Sequence, residues 1–119
     1  PINYFDMPGF YINTAAQADA LIEEADCGNA YIQFDIYHAQ RMCGALIETF
    51  LRLKDRIAHI QIADTPGRHE PGTGEINYAN VFRALESAGY EGWIGCEYRP
   101  KTTTIEGLGW MRSEVESRV

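Results

Sequence analysis

Three polar residues interrupt three otherwise apolar runs: Asp35 in "AYIQFDIY", Gln61 in "RIAHIQIAD" and Glu97 in "GWIGCEYRP". An ionised carboxylate inside an apolar strand is costly unless a charge, hydrogen bonds or a metal compensates it. Each of the three falls near the C-terminal end of its run, where parallel α/β folds gather their functional groups. Taken singly, each reads as a polar side chain satisfied where a strand ends. Taken together, oxygen donors converging from three strands suit a divalent cation, Mg²⁺ or Mn²⁺. Strand parity sharpens the set: His59 and Gln61 share one face, Ile60 and Ile62 the other, and Trp93, Gly95 and Glu97 share a face.

Other candidates surround these donors. His38, three residues beyond Asp35, either bonds a substrate oxygen, supports the site from behind, or merely starts a helix. His59, deeper in its run, reads as a core or supporting histidine rather than a ligand. The long, Gly- and Pro-rich stretch "DTPGRHEPGTGEIN" follows the second run, a position where loops carry binding function. Arg68 and His69 concentrate positive charge there, and Arg68 is suited to a bidentate contact with a substrate carboxylate. Lys101, four residues after Glu97, is a second candidate contact for an anion, whereas Arg99 reads as surface. The GTG element lacks the lysine of a phosphate loop and the GxGxxG spacing.

The elements that must position these residues alternate at a spacing of roughly 30 residues, the βαβ signature of a parallel sheet. "TAAQADALIEEADCG" carries Ala18, Leu21, Ile22 and Ala25 on one helical stripe, with a Thr14–Gln17 capping box and Gly28 as the expected stop. The strand "AYIQFDIY" is followed by a helix in "CGALIETFLRLK", then the strand "RIAHIQIAD". A third helix, "INYANVFRALESAG", is capped by Asn77 and ended at Gly89; the strand "GWIGCEYRP" stops at Pro100. Strands of a parallel sheet are covered on both faces, and these are expected to be so. The tail "TTTIEGLGWMRSEVESR" reads as helical, weakened by Gly107 and Gly109.

The 119 residues suffice for one modest domain with a real core, and 45% hydrophobic against 23% charged residues is ordinary globular composition. A net charge of −7 argues against nucleic-acid backbone binding, which needs a basic face, but leaves room for a small anion held by local cations. Three cysteines without CxxC spacing fit reduced thiols in a cytoplasmic protein. No apolar run approaches the roughly 18–20 residues of a membrane span. The chain opens at Pro1, and the expectation is a piece of a longer protein.

The stretches "FDIYHAQRM", "HIQIADTPGRHEPGTGEINY" and "GWIGCEYRPKTTT" closely resemble the C-terminal half of the hydroxypyruvate isomerase family, in the xylose-isomerase-like TIM-barrel superfamily. The resemblance runs from Pro1 to about Trp110. It implies an α/β fold in which residues 1–119 are the C-terminal half of a single (β/α)₈ TIM-barrel domain. It implies Asp35, Gln61 and Glu97 as metal ligands, with a fourth, a glutamate, standing immediately before Pro1 and absent from this sequence. Arg68 matches the family's substrate-contacting arginine and His38 its substrate-facing histidine. The implied reaction interconverts hydroxypyruvate and tartronate semialdehyde through an enediolate, with Glu97 as one acid/base. A related hydroxy-keto acid or sugar isomerase or epimerase is the alternative, as is a non-catalytic half-barrel fragment. Without the fourth ligand, this chain alone is expected to be inactive. Half a barrel leaves two open sheet edges, so self-association or pairing with the N-terminal half is expected.

Overall fold

The computed structural model describes residues 1–112. Helix α1 (Ala15–Ala25) begins at the expected capping box: Thr14 accepts from the Gln17 backbone, and the Gln17 side chain reaches back to the Thr14 N–H at 3.1 Å. It stops three residues before Gly28, because Asp26 takes the left-handed conformation that ends it.

Strand β1 spans Ile32–Asp35 and is shorter than its apolar run. The chain turns directly into helix α2 (Ile36–Met42), which begins within the stretch "AYIQFDIY" expected as strand, so His38 lies in the first turn of a helix. The Asp35 side chain causes the switch: it is the N-cap, and its Oδ1 accepts from the His38 N–H at 3.1 Å. Gly44 and Ala45, both at positive φ, lead into helix α3 (Leu46–Leu53). A short 3₁₀ turn then enters strand β2 (Ile57–Ile62). Helix α4 (Tyr78–Ser87) is capped by Asn77, which accepts from the Asn80 N–H, and Gly89 at φ +74° turns the chain away. Strand β3 (Ile94–Cys96) completes a parallel sheet in the order β1-β2-β3.

Pairing of β1 with β2 shifts by one residue between Ile32 and Gln33: Ile32 aligns with Ile57, but Gln33 aligns with His59 and Asp35 with Gln61. The extra residue, Ala58, lets Ile57 and Ile60 both face the core although they stand three apart. Ile32, Phe34, Ile60 and Ile62 point into the helical layer with at most 2% exposure, packed with Phe50, Val81, Phe82 and Leu85. Each such burial stabilises the fold by about 2 kcal/mol.

The expectation of two covered faces does not hold. The opposite face carries exposed Gln33, half-buried His59 and Gln61, and Trp93 at 85% exposure. Neither outer edge of the sheet has a strand partner among the described residues. The tail also differs: Glu106–Leu108 is a 3₁₀ turn, and helical backbone resumes at Trp110, whose ring stacks on Phe82 with 5.8 Å between centroids. The rest of the expected tail helix lies outside the described residues.

Candidate active site

Register brings the three donors together. Asp35 pairs with Gln61 and Gln61 with Gly95; two residues beyond Gly95, the Glu97 N–H donates to the Ile62 carbonyl at 3.1 Å. All three side chains therefore leave adjacent strand ends on the face without helices. Gly95 keeps that face clear: a Cβ there would come within 3.1 Å of His59 Nε2 and 3.5 Å of Gln61 Cγ. His59 thus lies on the same face as Gln61, two residues deeper in the strand and paired with Gln33.

Burial sets the electrostatics. Asp35 is 6% exposed, and burial pushes its carboxyl up to about 6, aided by the nearby Glu97 charge and opposed by the His38 backbone hydrogen bond and Arg68. His38 is 2% exposed, and burial, reinforced by the Arg68 charge, pulls its imidazole down to about 4. The ring is therefore uncharged at neutral pH, and the 4.0 Å approach of its Nε2 to Asp35 Oδ2 is not an ion pair. The other ring nitrogen, Nδ1, faces the buried Asn3.

Arg68 stands over the same end of the sheet. Its guanidinium lies 3.6 Å from Glu97 Oε1 and 5.0 Å from the centre of the Tyr37 ring. Tyr37 is held in turn: its hydroxyl donates to Asp6 Oδ2 at 2.7 Å, and Arg41 binds the same carboxylate at 2.5 Å. Residues 63–77 are organised by Asp64, 1% exposed, which accepts backbone N–H bonds from Thr65, Gly72 and Ile76. Gly74 is required there, since a Cβ would fall 2.0 Å from the Thr65 carbonyl oxygen. Arg68 itself sits at φ +56°, its carbonyl accepting from the Arg99 N–H at 2.8 Å. His69 braces the loop through Nδ1 on the Arg99 carbonyl, 2.6 Å away. Lys101 is exposed, and its backbone N–H donates to Glu70 Oε2; its ammonium has no fixed contact with the site among the described residues.

Among the described residues no three His, Cys, Asp or Glu side chains form a group able to hold a metal. The convergent set has two carboxylates, and its third oxygen is the Gln61 amide. That oxygen accepts from Gln33 Nε2, which orients it as an acceptor and leaves its second lone pair available. An all-oxygen set fits a hard divalent cation, as part of a coordination shell.

Gln33, Asn3, Asp6, Tyr37 and Asp64 were not singled out from sequence. Gln33 shares the parity of Asp35 and was open to the same argument. Asn3 and Asp6 lie more than 30 residues from their partners, so no local pattern points to them.

Oxygen donors and an arginine at the carboxyl ends of adjacent parallel strands, facing away from the helices, are the arrangement of a TIM-barrel site. The chain matches the family described as "Xylose isomerase-like TIM barrel" over residues 1–114 and belongs to it. It is 55% identical to hydroxypyruvate isomerase of Escherichia coli over 93% of this chain and 43% of that protein. It is 46% identical to 2-oxo-tetronate isomerase of Cupriavidus necator over 94% and 43%. The crystal structure of a family 2 AP endonuclease from Brucella melitensis superposes with a TM-score of 0.92 at 42% identity, over 95% of this chain and 44% of that one. The chain thus spans under half the length of the relatives it matches. No described helix is long and apolar enough to cross a membrane.

Proposed function

We propose that the intact protein carrying this segment is a metal-dependent isomerase interconverting hydroxypyruvate and tartronate semialdehyde, by moving a proton between adjacent carbons through an enediolate. The observation that carries the reading is the convergence of Asp35, Gln61 and Glu97 on adjacent strand ends beside Arg68. The names of two relatives, hydroxypyruvate isomerase and 2-oxo-tetronate isomerase, both specify 2-oxo acids. An arginine fork matches the carboxylate of such an acid, which ranks a hydroxy-keto acid above a neutral sugar. A net charge of −7 speaks against a nucleic-acid substrate.

Asp35, Gln61 and Glu97 would hold the cation, Mg²⁺ or Mn²⁺, whose chemistry is to polarise the substrate oxygens as a Lewis acid. Arg68, seated on the Tyr37 ring, binds and orients the carboxylate, and Lys101 offers a second positive charge at the rim. His38 reaches a substrate oxygen from beside Asp35. Glu97 takes the proton from one carbon, and a second carboxylate serves the neighbouring carbon. The resemblance puts that second carboxylate on a glutamate outside this segment. The segment alone is then inactive, and the rest of the barrel, or a second copy, covers the open sheet edges. Three unpaired, exposed cysteines agree with a reducing cytoplasm.

The test offers the intact protein hydroxypyruvate, tartronate semialdehyde and a neutral ketose, before chelation, after it, and with Mg²⁺ or Mn²⁺ restored. The acids should interconvert, and chelation should stop the reaction until metal returns. Turnover of the ketose without either acid, or full activity after complete chelation, overturns the reading.

A further inference from the structure

Asn3 is 0% exposed although it stands in the opening loop, and both ends of its side chain are committed. The Asp6 backbone N–H donates to Asn3 Oδ1 at 2.8 Å, which fixes which end of the carboxamide is oxygen. The Nδ2 amide is thereby turned to His38 Nδ1, 2.6 Å away, and the Asn3 backbone N–H also donates to that nitrogen at 3.2 Å. A ring nitrogen that meets two N–H donors presents its lone pair, so the single proton of the neutral ring sits on Nε2. Nε2 is the atom on the Asp35 side, 4.0 Å from Oδ2.

We infer that Asn3 is a positioning residue that locks His38 as an Nε2–H donor, so that His38 gives a hydrogen bond to a substrate oxygen and accepts no proton from carbon. The substrate part rests on the isomerase reading; the tautomer does not. A fixed donor aimed at an oxygen that gains negative charge lowers the barrier without reorganising during the reaction. Proton transfer at carbon is left to Glu97 and its partner carboxylate.

The variant Asn3→Asp separates this role from simple anchoring of the loop. Aspartate keeps the shape and the acceptor for the Asp6 N–H, but offers Nδ1 an acceptor where the amide offered a donor. The measurement is long-range proton–nitrogen correlation on intact protein labelled with ¹⁵N-histidine, with the His38 signals identified by their loss in His38→Gln. The unsubstituted protein should show Nδ1 unprotonated and Nε2 protonated. In Asn3→Asp the proton should move to Nδ1, with kcat falling about 100-fold and KM changing far less. A proton on Nδ1 in the unsubstituted protein overturns the inference, and so does an Asn3→Asp variant with unchanged tautomer and kcat. The first spectrum needs no substitution, so it decides the tautomer even where the variant fails to fold. An Nε2–H ring in a protein that ignores both acids supports the lock and overturns only the substrate.

Discussion

On the helical side of the sheet, Ile32, Phe34, Ile60 and Ile62 are closed to solvent. On the other side the alternating residues Gln33, His59 and Gln61 stay partly or fully open, and Asp35 is buried at an energetic cost. The two sets interleave along the same strands, one residue apart. One face stabilises the fold by removing apolar area from water. The other holds polar groups, among them the buried Asp35 carboxylate, that water would solvate better. The difference teaches that stability and function here are separable by strand parity, although not by position in the sequence.

The sharpest way to break that separation is Glu97→Gln in the intact protein. It keeps an oxygen donor and removes the base, so kcat should fall roughly 1,000-fold, within the range general acid–base groups contribute. Glu97 is half-exposed, so the thermal unfolding midpoint should not move. A large loss of stability would show that the open face is structural after all.

Phe34→Ala probes the opposite face and should lower unfolding stability by about 3–5 kcal/mol, read as a shifted denaturant midpoint. Protein that remains folded at low denaturant should keep its KM, because Phe34 points away from the donors.

The smallest expected effect is a gain. Folding raises the Asp35 pKa from 3.8 to about 6, so the fold favours the protonated form. Stability from this group is full below about pH 4 and is lost as pH rises through 6. In chelator-treated protein, Asp35→Asn should therefore be more stable than the parent at pH 7–8 by roughly 3 kcal/mol, with the gain gone below pH 4. Asparagine preserves the cap on α2. A pH-independent difference in urea unfolding would show that burial does not govern this carboxylate.

Much of the frame was legible because local chemistry and tertiary packing agree. The Thr14–Gln17 capping box and the Asn77 cap are written in consecutive residues and form as expected. The shared face of Asp35, Gln61 and Glu97 was legible for a similar reason: a polar side chain in an apolar run stands out, and period two assigns its face. The early end of β1 was not. "FDIYHAQRM" is too short and too apolar for periodicity to separate strand from helix, and the deciding event is the Asp35 carboxylate folding back onto the His38 N–H. The charge of Asp35 is visible in the sequence; its role as the N-cap of α2 is set by the folded backbone.

The sequence by itself determined the alternation of strands and helices, the polar residues at the strand ends and the family pattern, because each depends on neighbours a few residues apart. Only the tertiary structure decided that Asn3 faces His38, that Tyr37 seats Arg68 and that one face of the sheet stays open. Those facts depend on the register between strands and on loops closing over more than 30 residues. No local propensity encodes which distant partner a buried polar atom will meet.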